Sequence, residues 1–274
     1  MLKWRHYREH LASCDRITVC PVGQGGAEEF AGSGVDLVAV AAEEPPGAAA
    51  WPAGVPRLRL VQDFRHLFDP DAAARLRAAV DTRFVCVSSA LASSLDELGV
   101  GPRVTTVAAA LDPDVTSIQA APVRDRGHGV TILAYKAPDR GRRIARRLRH
   151  DGVRARVIER PVPRADLLRI VARSRVLVCL PYDHEGFYLP ALEAMWCGTP
   201  VVCPDAFGNR EYCVPRWNCL QPGFHDVAGH AAAVLELLRQ PELAEELAER
   251  GRRTAGLFGW ARERAQLLEV VLRC

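Results

Sequence analysis

Residues 175–205, RVLVCLPYDHEGFYLPALEAMWCGTPVVCPD, constrain this chain more than any other stretch. The apolar run Val176–Leu180 ends at Pro181 and reads as a buried strand of a parallel sheet. A polar loop carrying Glu185 and Gly186 follows. Pro190 suits the first turn of a helix, where its missing N–H costs nothing. Leu189, Leu192, Ala194, Met195 and Trp196 give that helix apolar faces, and Gly198-Thr199-Pro200 ends it. A second apolar run, Val201-Val202-Cys203, comes at once. The order is strand, loop, helix, turn, strand. Its helix N-terminus turns backbone N–H groups and a positive dipole end toward whatever lies above the strands, and a phosphate fits there.

Two carboxylates, Glu185 in the loop and Glu193 on the helix, belong to this unit. An acidic residue near a helix N-terminus is stabilising through the dipole alone, by about 0.3–1 kcal/mol, so its presence does not mark a site. Glu193 differs, because it falls between Leu192 and Met195 on a mostly apolar helix, where an unpaired charge is costly. E-G-F-Y-L-P-A-L-E-A-M-x-x-G-T-P-V-V, over residues 185–202, resembles the donor-binding segment of retaining, two-domain glycosyltransferases of the family 4 type, with their paired-glutamate motif. The resemblance implies that Glu185, Gly186 and Phe187 contact the donor's sugar and phosphate. It implies that Tyr188 and Leu189 belong to the turn that offers backbone N–H groups. Glu193 would accept hydrogen bonds from the ribose hydroxyls.

A chain of 274 residues has room for two small domains. A hydrophobic share of 49% with a net charge of +3 points to neither a nucleic-acid nor a membrane-surface role. Lys3 and Lys136 are the only lysines, the other basic residues being arginines, which sets Lys136 apart. Nine cysteines, an odd number, include Cys86, Cys179 and Cys203 in apolar runs, where a free thiol behaves as a small hydrophobe. Cys213 and Cys219 lack a second ligand pair for zinc. The opening MLKWRHYREHLASC has charges throughout and no signal-peptide core, and no run reaches the roughly 18 apolar residues of a membrane span. A reduced, cytoplasmic chain without stable membrane insertion is expected.

Residues 1–120 read as one α/β unit. Short strands are expected at Ile17–Cys20, Val35–Ala41, Leu58–Val61 and Phe84–Val87, with helices at Ala72–Val80 and Ala90–Leu98 capped by Asp71 and Ser89. The stretch Gln119–Gly129 reads as a linker. A second unit, 129–255, has strands at Val130–Tyr135 and Ala155–Ile158 and helices at Arg142–His150, Arg164–Ser174, Val227–Arg239 and Pro241–Arg253. This alternation argues for doubly wound parallel sheets. The resemblance implies two Rossmann-like domains facing a cleft (the GT-B arrangement), the N-terminal one shortened. It also implies a final helix within 256–274, read at Trp260–Leu272, that crosses back onto the first domain. Leu60–His66, Val85–Ser88 and Gly208–Cys219 extend the likeness.

Members of that family carry Gly-Arg after the first strand of the second domain and Lys-Gly a few residues on, both cations facing the donor diphosphate. Here the pairs are Tyr135-Lys136 and Arg140-Gly141, so charge survives with the residue types exchanged. Ala109-Ala110-Leu111-Asp112 replaces an Asn-Gly-containing loop and removes a flexible backbone position. Asp69-Pro70-Asp71 and Asp112-Pro113-Asp114 match the short D-x-D pattern of metal-dependent transferases but read as turns with capping aspartates. His6 and His10 share an i, i+4 spacing with no Glu to complete a zinc motif. His66 follows a strand of the first unit and is a candidate to touch substrate.

The candidate catalytic residues are therefore Glu185, Lys136 and His66. Donor binding falls to Lys136, Arg140, Glu185, Gly186, Phe187, Tyr188, Leu189 and Glu193. The implied reaction moves a sugar from a nucleotide sugar to a sugar, lipid-linked or small-molecule acceptor with retention, needing no metal or cofactor. Two other readings stay open at this point: a nucleotide-sugar epimerase or hydrolase on the same fold, and a non-catalytic partner of another transferase.

Overall fold

The structure, a computed structural model, describes Glu9, Ala12, Val38–Val40 and residues 56–273. The strand expected at Ile17–Cys20, and His6 and His10, lie outside the described residues. The chain divides into two compact units, Met1–Ala109 with Ala261–Cys274, and Ala110–Trp260.

In the first unit, β1 (Val38–Val40), β2 (Arg57–Val61), β3 (Thr82–Cys86) and β4 (Val104–Thr106) form one sheet in that order. Every neighbouring pair is parallel, with Leu60 opposite Val85 and Cys86 opposite Thr106. Helices α1 (Pro70–Ala78) and α2 (Ser89–Glu97) connect successive strands. Phe84, Val85 and Cys86 are wholly buried, as a central strand covered on both faces requires. The helix caps sit earlier than the spacing suggests. Asp69 accepts from the N–H groups of Asp71 and Ala72, and Ser88 from that of Leu91. Pro70 is the reason in α1: a proline at the first helical position makes the residue before it the cap. No apolar run announces β4, whose Thr105 and Thr106 gave no strand signal.

The second unit holds β5 (His128–Leu133), β6 (Ala155–Ile158), β7 (Ser174–Cys179) and β8 (Val201–Val202), with helices α3 (Pro113–Thr116), α4 (Pro138–His150), α5 (Arg164–Arg173), α6 (Leu189–Trp196), α7 (Val227–Arg239) and α8 (Pro241–Gly256). The sheet order is β6-β5-β7-β8 and all pairs are parallel. Ile132, Val178 and Leu180 are fully buried, and Ile144 and Leu148 of α4 pack into the same core with Val234 of α7. Gly141 lets α4 lie against the sheet, since a Cβ there would stand 2.4 Å from the Ala134 methyl. A last helix, α9 (Trp260–Leu272), clusters with the first unit.

Residues 119–129, composed like a linker, are fastened to the second unit by Arg126. Its guanidinium donates to the carbonyls of Ala121 (2.9 Å), Ser174 (3.0 Å), Cys197 (2.8 Å) and Gly198 (3.0 Å), and to the Thr199 hydroxyl (2.6 Å). Gly198, at φ +59°, supplies the left-handed turn that ends α6 and brings two of those carbonyls together. Burial pulls the Arg126 pKa down to about 10, which leaves it charged at neutral pH. Replacing it strands several buried carbonyls. Arg126→Met should lower the unfolding free energy by about 3 kcal/mol or more, read from denaturant melts.

Candidate active site

The strand order of the second sheet reverses at β5, with β6 on one side and β7 on the other. Crevices outside the carboxyl ends of strands at such a point are where open α/β sheets hold ligands. Lys136 and Glu185 lie there. β5 runs into a turn closed by the Ala137 N–H on the Ala134 carbonyl (2.9 Å), and this turn presents Lys136. β7 runs into the loop that presents Glu185.

The two side chains meet. Lys136 Nζ donates to Glu185 Oε1, and the Tyr182 backbone N–H donates to the same oxygen at 3.2 Å. The ammonium also lies over three aromatic rings, Tyr182 at 5.3 Å, Tyr188 at 5.4 Å and Tyr135 at 5.8 Å. Lys136 is 22% exposed and Glu185 14%, so the pair is neither free in solvent nor sealed in the core. Burial pushes the neighbouring Tyr135 phenol upward, with Glu185 adding to the shift, and it stays neutral.

The loop from Glu185 to Tyr188 is held from behind by the turn Phe207–Asn209. A Cβ on Gly208 would lie 2.4 Å from the Glu185 carbonyl oxygen and 2.6 Å from the Phe187 nitrogen, so backbone packs directly on backbone. The Tyr188 N–H donates to the Gly208 carbonyl at 3.3 Å, and the Tyr212 hydroxyl donates to the Tyr188 carbonyl. Asn209 pins the turn, its amide donating to the Pro204 carbonyl at 2.8 Å while its oxygen accepts from the Ala206 N–H. Phe187 joins Tyr212 and Phe258 in an aromatic cluster, with ring centroids 5.5–5.9 Å away. Tyr188 is buried at the head of α6, which has no side-chain cap and no acidic residue in its first turn. Its first N–H groups are therefore free of a competing side-chain anion.

Glu193 is buried on α6, as its apolar surroundings predict, but it is paired. Arg164, the first residue of α5, brings Nη2 to 2.8 Å from Glu193 Oε1. That partner is 29 positions away and no local spacing announces it. Arg140 is likewise engaged: its guanidinium lies 4.5 Å from the Phe224 ring centroid, donates to the Phe224 carbonyl and reaches the Pro181 carbonyl at 3.4 Å. Burial lowers its pKa, with Cys203 and Asp183 working the other way.

His66 belongs to the first unit, in the 3-10 turn Arg65–Leu67, and is buried. Ser94 donates its hydroxyl proton to the Leu91 carbonyl (2.7 Å), so it can only accept from His66 Nε2 at 2.9 Å. The ring therefore carries its proton on Nε2, and burial keeps it neutral against the opposing pull of Asp63. It lines a small pocket with Gln62, Asp63 and Arg65. The first aspartate of each D-x-D pattern is a capping residue: Asp69 serves α1 and Asp112 accepts from the Asp114 N–H at 3.0 Å.

Known proteins fit this geometry. Residues 158–254 match the family model "Glycosyl transferases group 1". The D-inositol 3-phosphate glycosyltransferase of Salinispora arenicola is 32% identical over 167 residues, which cover 58% of this chain and 37% of that protein. The MMP alpha-(1->4)-mannosyltransferase of Mycolicibacterium hassiacum is 36% identical over 109 residues, covering 38% of this chain and 26% of its own length. This chain thus aligns with well under half of each of these relatives. Among solved structures, sucrose-phosphate synthase from Thermosynechococcus elongatus superposes with a TM-score of 0.69 at 15% identity, over 90% of this chain and 75% of that one. Anabaena Alr3699/HepE in complex with UDP gives 0.64 at 14% identity, over 80% and 72%. The fold is accordingly that of GT-B glycosyltransferases, built from Rossmann-like parallel sheets.

The contact at Gly208 yields a test of the loop. Gly208→Ala should cost about 1–3 kcal/mol of stability, since a methyl there must displace backbone. Gly223→Ala, whose Cβ would sit at an ordinary 3.4 Å from Asp226, should leave the thermal melting point nearly unchanged.

Proposed function

We propose that this chain acts as a retaining, metal-independent glycosyltransferase that binds the nucleotide sugar on its second unit. The observation that carries the reading is the meeting of Lys136 and Glu185 at the carboxyl ends of β5 and β7, beside the uncapped N-terminus of α6. The group 1 match over 158–254 supports it, as do the UDP-bound neighbours.

In this reading the donor diphosphate takes the place of the Glu185 carboxylate against the Lys136 ammonium. The Leu189 N–H at the start of α6 donates to a phosphate oxygen; the Tyr188 N–H, expected to do the same, is held by the Gly208 carbonyl, and Pro190 has none to give. Glu185, once released, accepts hydrogen bonds from the sugar's hydroxyls with the Gly186 and Phe187 backbone beside it, and Glu193 serves the ribose. Arg140 contributes its charge from the Phe224 stack. The bond between the anomeric carbon and the phosphate oxygen breaks with its electron pair leaving on the diphosphate, and the acceptor hydroxyl forms the new bond on the same face. Its proton passes to the departing phosphate. Charge grows on the diphosphate in the transition state, so Lys136 and the helix amides accelerate the step by fixed electrostatics rather than by proton transfer. His66, its Nε2 proton taken by Ser94, has only Nδ1 left and would accept a hydrogen bond from an acceptor hydroxyl rather than donate one.

Turnover of UDP-, GDP- and ADP-sugars with hydroxylic acceptors tests the activity. Lys136→Ala should lower kcat about a hundredfold or more, because it removes a donor to the developing anion. It should change KM far less, and a kinetically silent, folded variant would overturn the assignment. Transfer should also persist in excess chelator. Complete loss that magnesium or manganese restores would return the D-x-D aspartates to consideration.

A further inference from the structure

Arg164 is unexplained by the diphosphate site. It opens α5 directly after the β6-to-α5 loop, and its guanidinium reaches a carboxylate whose side chain is only 3% exposed. Around that carboxylate Ala191, Leu192, Ala194 and Met195 are all wholly buried. An isolated charge there is costly, and Arg164 sets an opposite charge 2.8 Å from it. If the position served packing alone, a hydrophobic residue of similar size would do as well or better. Arg164 itself is 29% exposed and approaches Glu193 through Nη2, while its Nε is buried with no hydrogen-bond partner. The carboxyl ends of three adjacent strands thus present a row: Arg164 beyond β6, Lys136 beyond β5 and Glu185 beyond β7.

We propose that Arg164 is a positioning residue for nucleotide recognition, its guanidinium holding Glu193 as a carboxylate aimed to accept the 2′- and 3′-hydroxyls of the donor's ribose. This rests on the donor-binding reading above and extends it to a residue outside the paired-glutamate segment. The pair makes ribose recognition depend on a contact between α5 and α6. A purely structural ion pair would influence every ligand of the site equally. A positioning pair affects only ligands that carry the hydroxyls.

The test is calorimetric. UDP, GDP and ADP are titrated into the full chain, and the tightest binder is compared with its 2′,3′-dideoxy counterpart in wild type, Arg164→Met and Arg164→Lys. Wild type should prefer the ribonucleotide. Arg164→Met should weaken ribonucleotide binding by about tenfold or more, the loss expected when a charged hydrogen-bonding group is disabled. Dideoxynucleotide binding should change little, so the preference collapses. Arg164→Lys should give an intermediate preference, because a point charge cannot reproduce the guanidinium's reach. Equal weakening of both ligands in Arg164→Met, or an unchanged preference, overturns the positioning role while leaving the donor site standing. Should Arg164→Met fail to fold, the lysine variant decides: a reduced preference supports the role and a wild-type preference overturns it. Absence of any nucleotide binding to wild type would instead bring down the donor reading, and this inference with it.

Discussion

Burial of β7 on both faces is the constraint on which the second unit depends. From Val176 to Leu180 no residue is more than 1% exposed, so every polar group near this strand must be satisfied at its ends. The two ends solve the problem differently. At the amino end, Arg126 spends its guanidinium on backbone carbonyls and the Thr199 hydroxyl, while Ser174 hydrogen-bonds Thr131 and the Ile170 carbonyl. That arrangement is saturated, and a ligand has nothing to exchange with. At the carboxyl end, Lys136 and Glu185 satisfy one another through side chains that remain partly open to solvent. A pair of that kind can be opened by an anion that offers Lys136 as much as Glu185 does.

This difference explains why one buried arginine is structural and one lysine is a candidate for chemistry. Carbonyl oxygens cannot leave their strands, so Arg126 is locked. A loop carboxylate can turn aside, and the sugar hydroxyls that would accompany a diphosphate give Glu185 a new use once displaced. The backing of the loop by Gly208, Asn209 and Tyr212 would keep the amides of α6 in place during such an exchange. Preorganised N–H groups cost no reorganisation when charge develops, which is the condition for electrostatic stabilisation to favour the transition state over the ground state.

Much of this was legible in the sequence because it is local. The strand-loop-helix-turn-strand of residues 175–205 follows from apolar runs, one proline and one glycine, and helices such as Val227–Arg239 and Trp260–Leu272 end where their patterns end. The caps of α1 and α2 were displaced by one or two positions because Asp69 and Ser88 compete with equally plausible neighbours, and only the backbone decides. β4 escaped notice because a half-buried edge strand of three residues has no apolar signature. The linker-like composition of 119–129 concealed Arg126, since charge and proline content describe solubility and not where a guanidinium is aimed.

What stayed illegible are the long-range pairings of arginine. The chain is so rich in arginine that no single one stands out, and Arg126, Arg140 and Arg164 each find their partners tens of positions away. An unpaired Glu193 on an apolar helix would be costly, and nothing in the local sequence names its partner. The cost is met within the protein, by Arg164. A carboxylate that is already neutralised gains less from a ligand's charge and more from its hydrogen-bond donors. It therefore suits neutral hydroxyls better than a cation, whereas Lys136, held by a displaceable carboxylate, suits an anion. In the proposed reading, the carboxyl end of the second sheet would thus offer an acceptor for hydroxyls and a cation for phosphate, the two functional groups a nucleotide carries side by side.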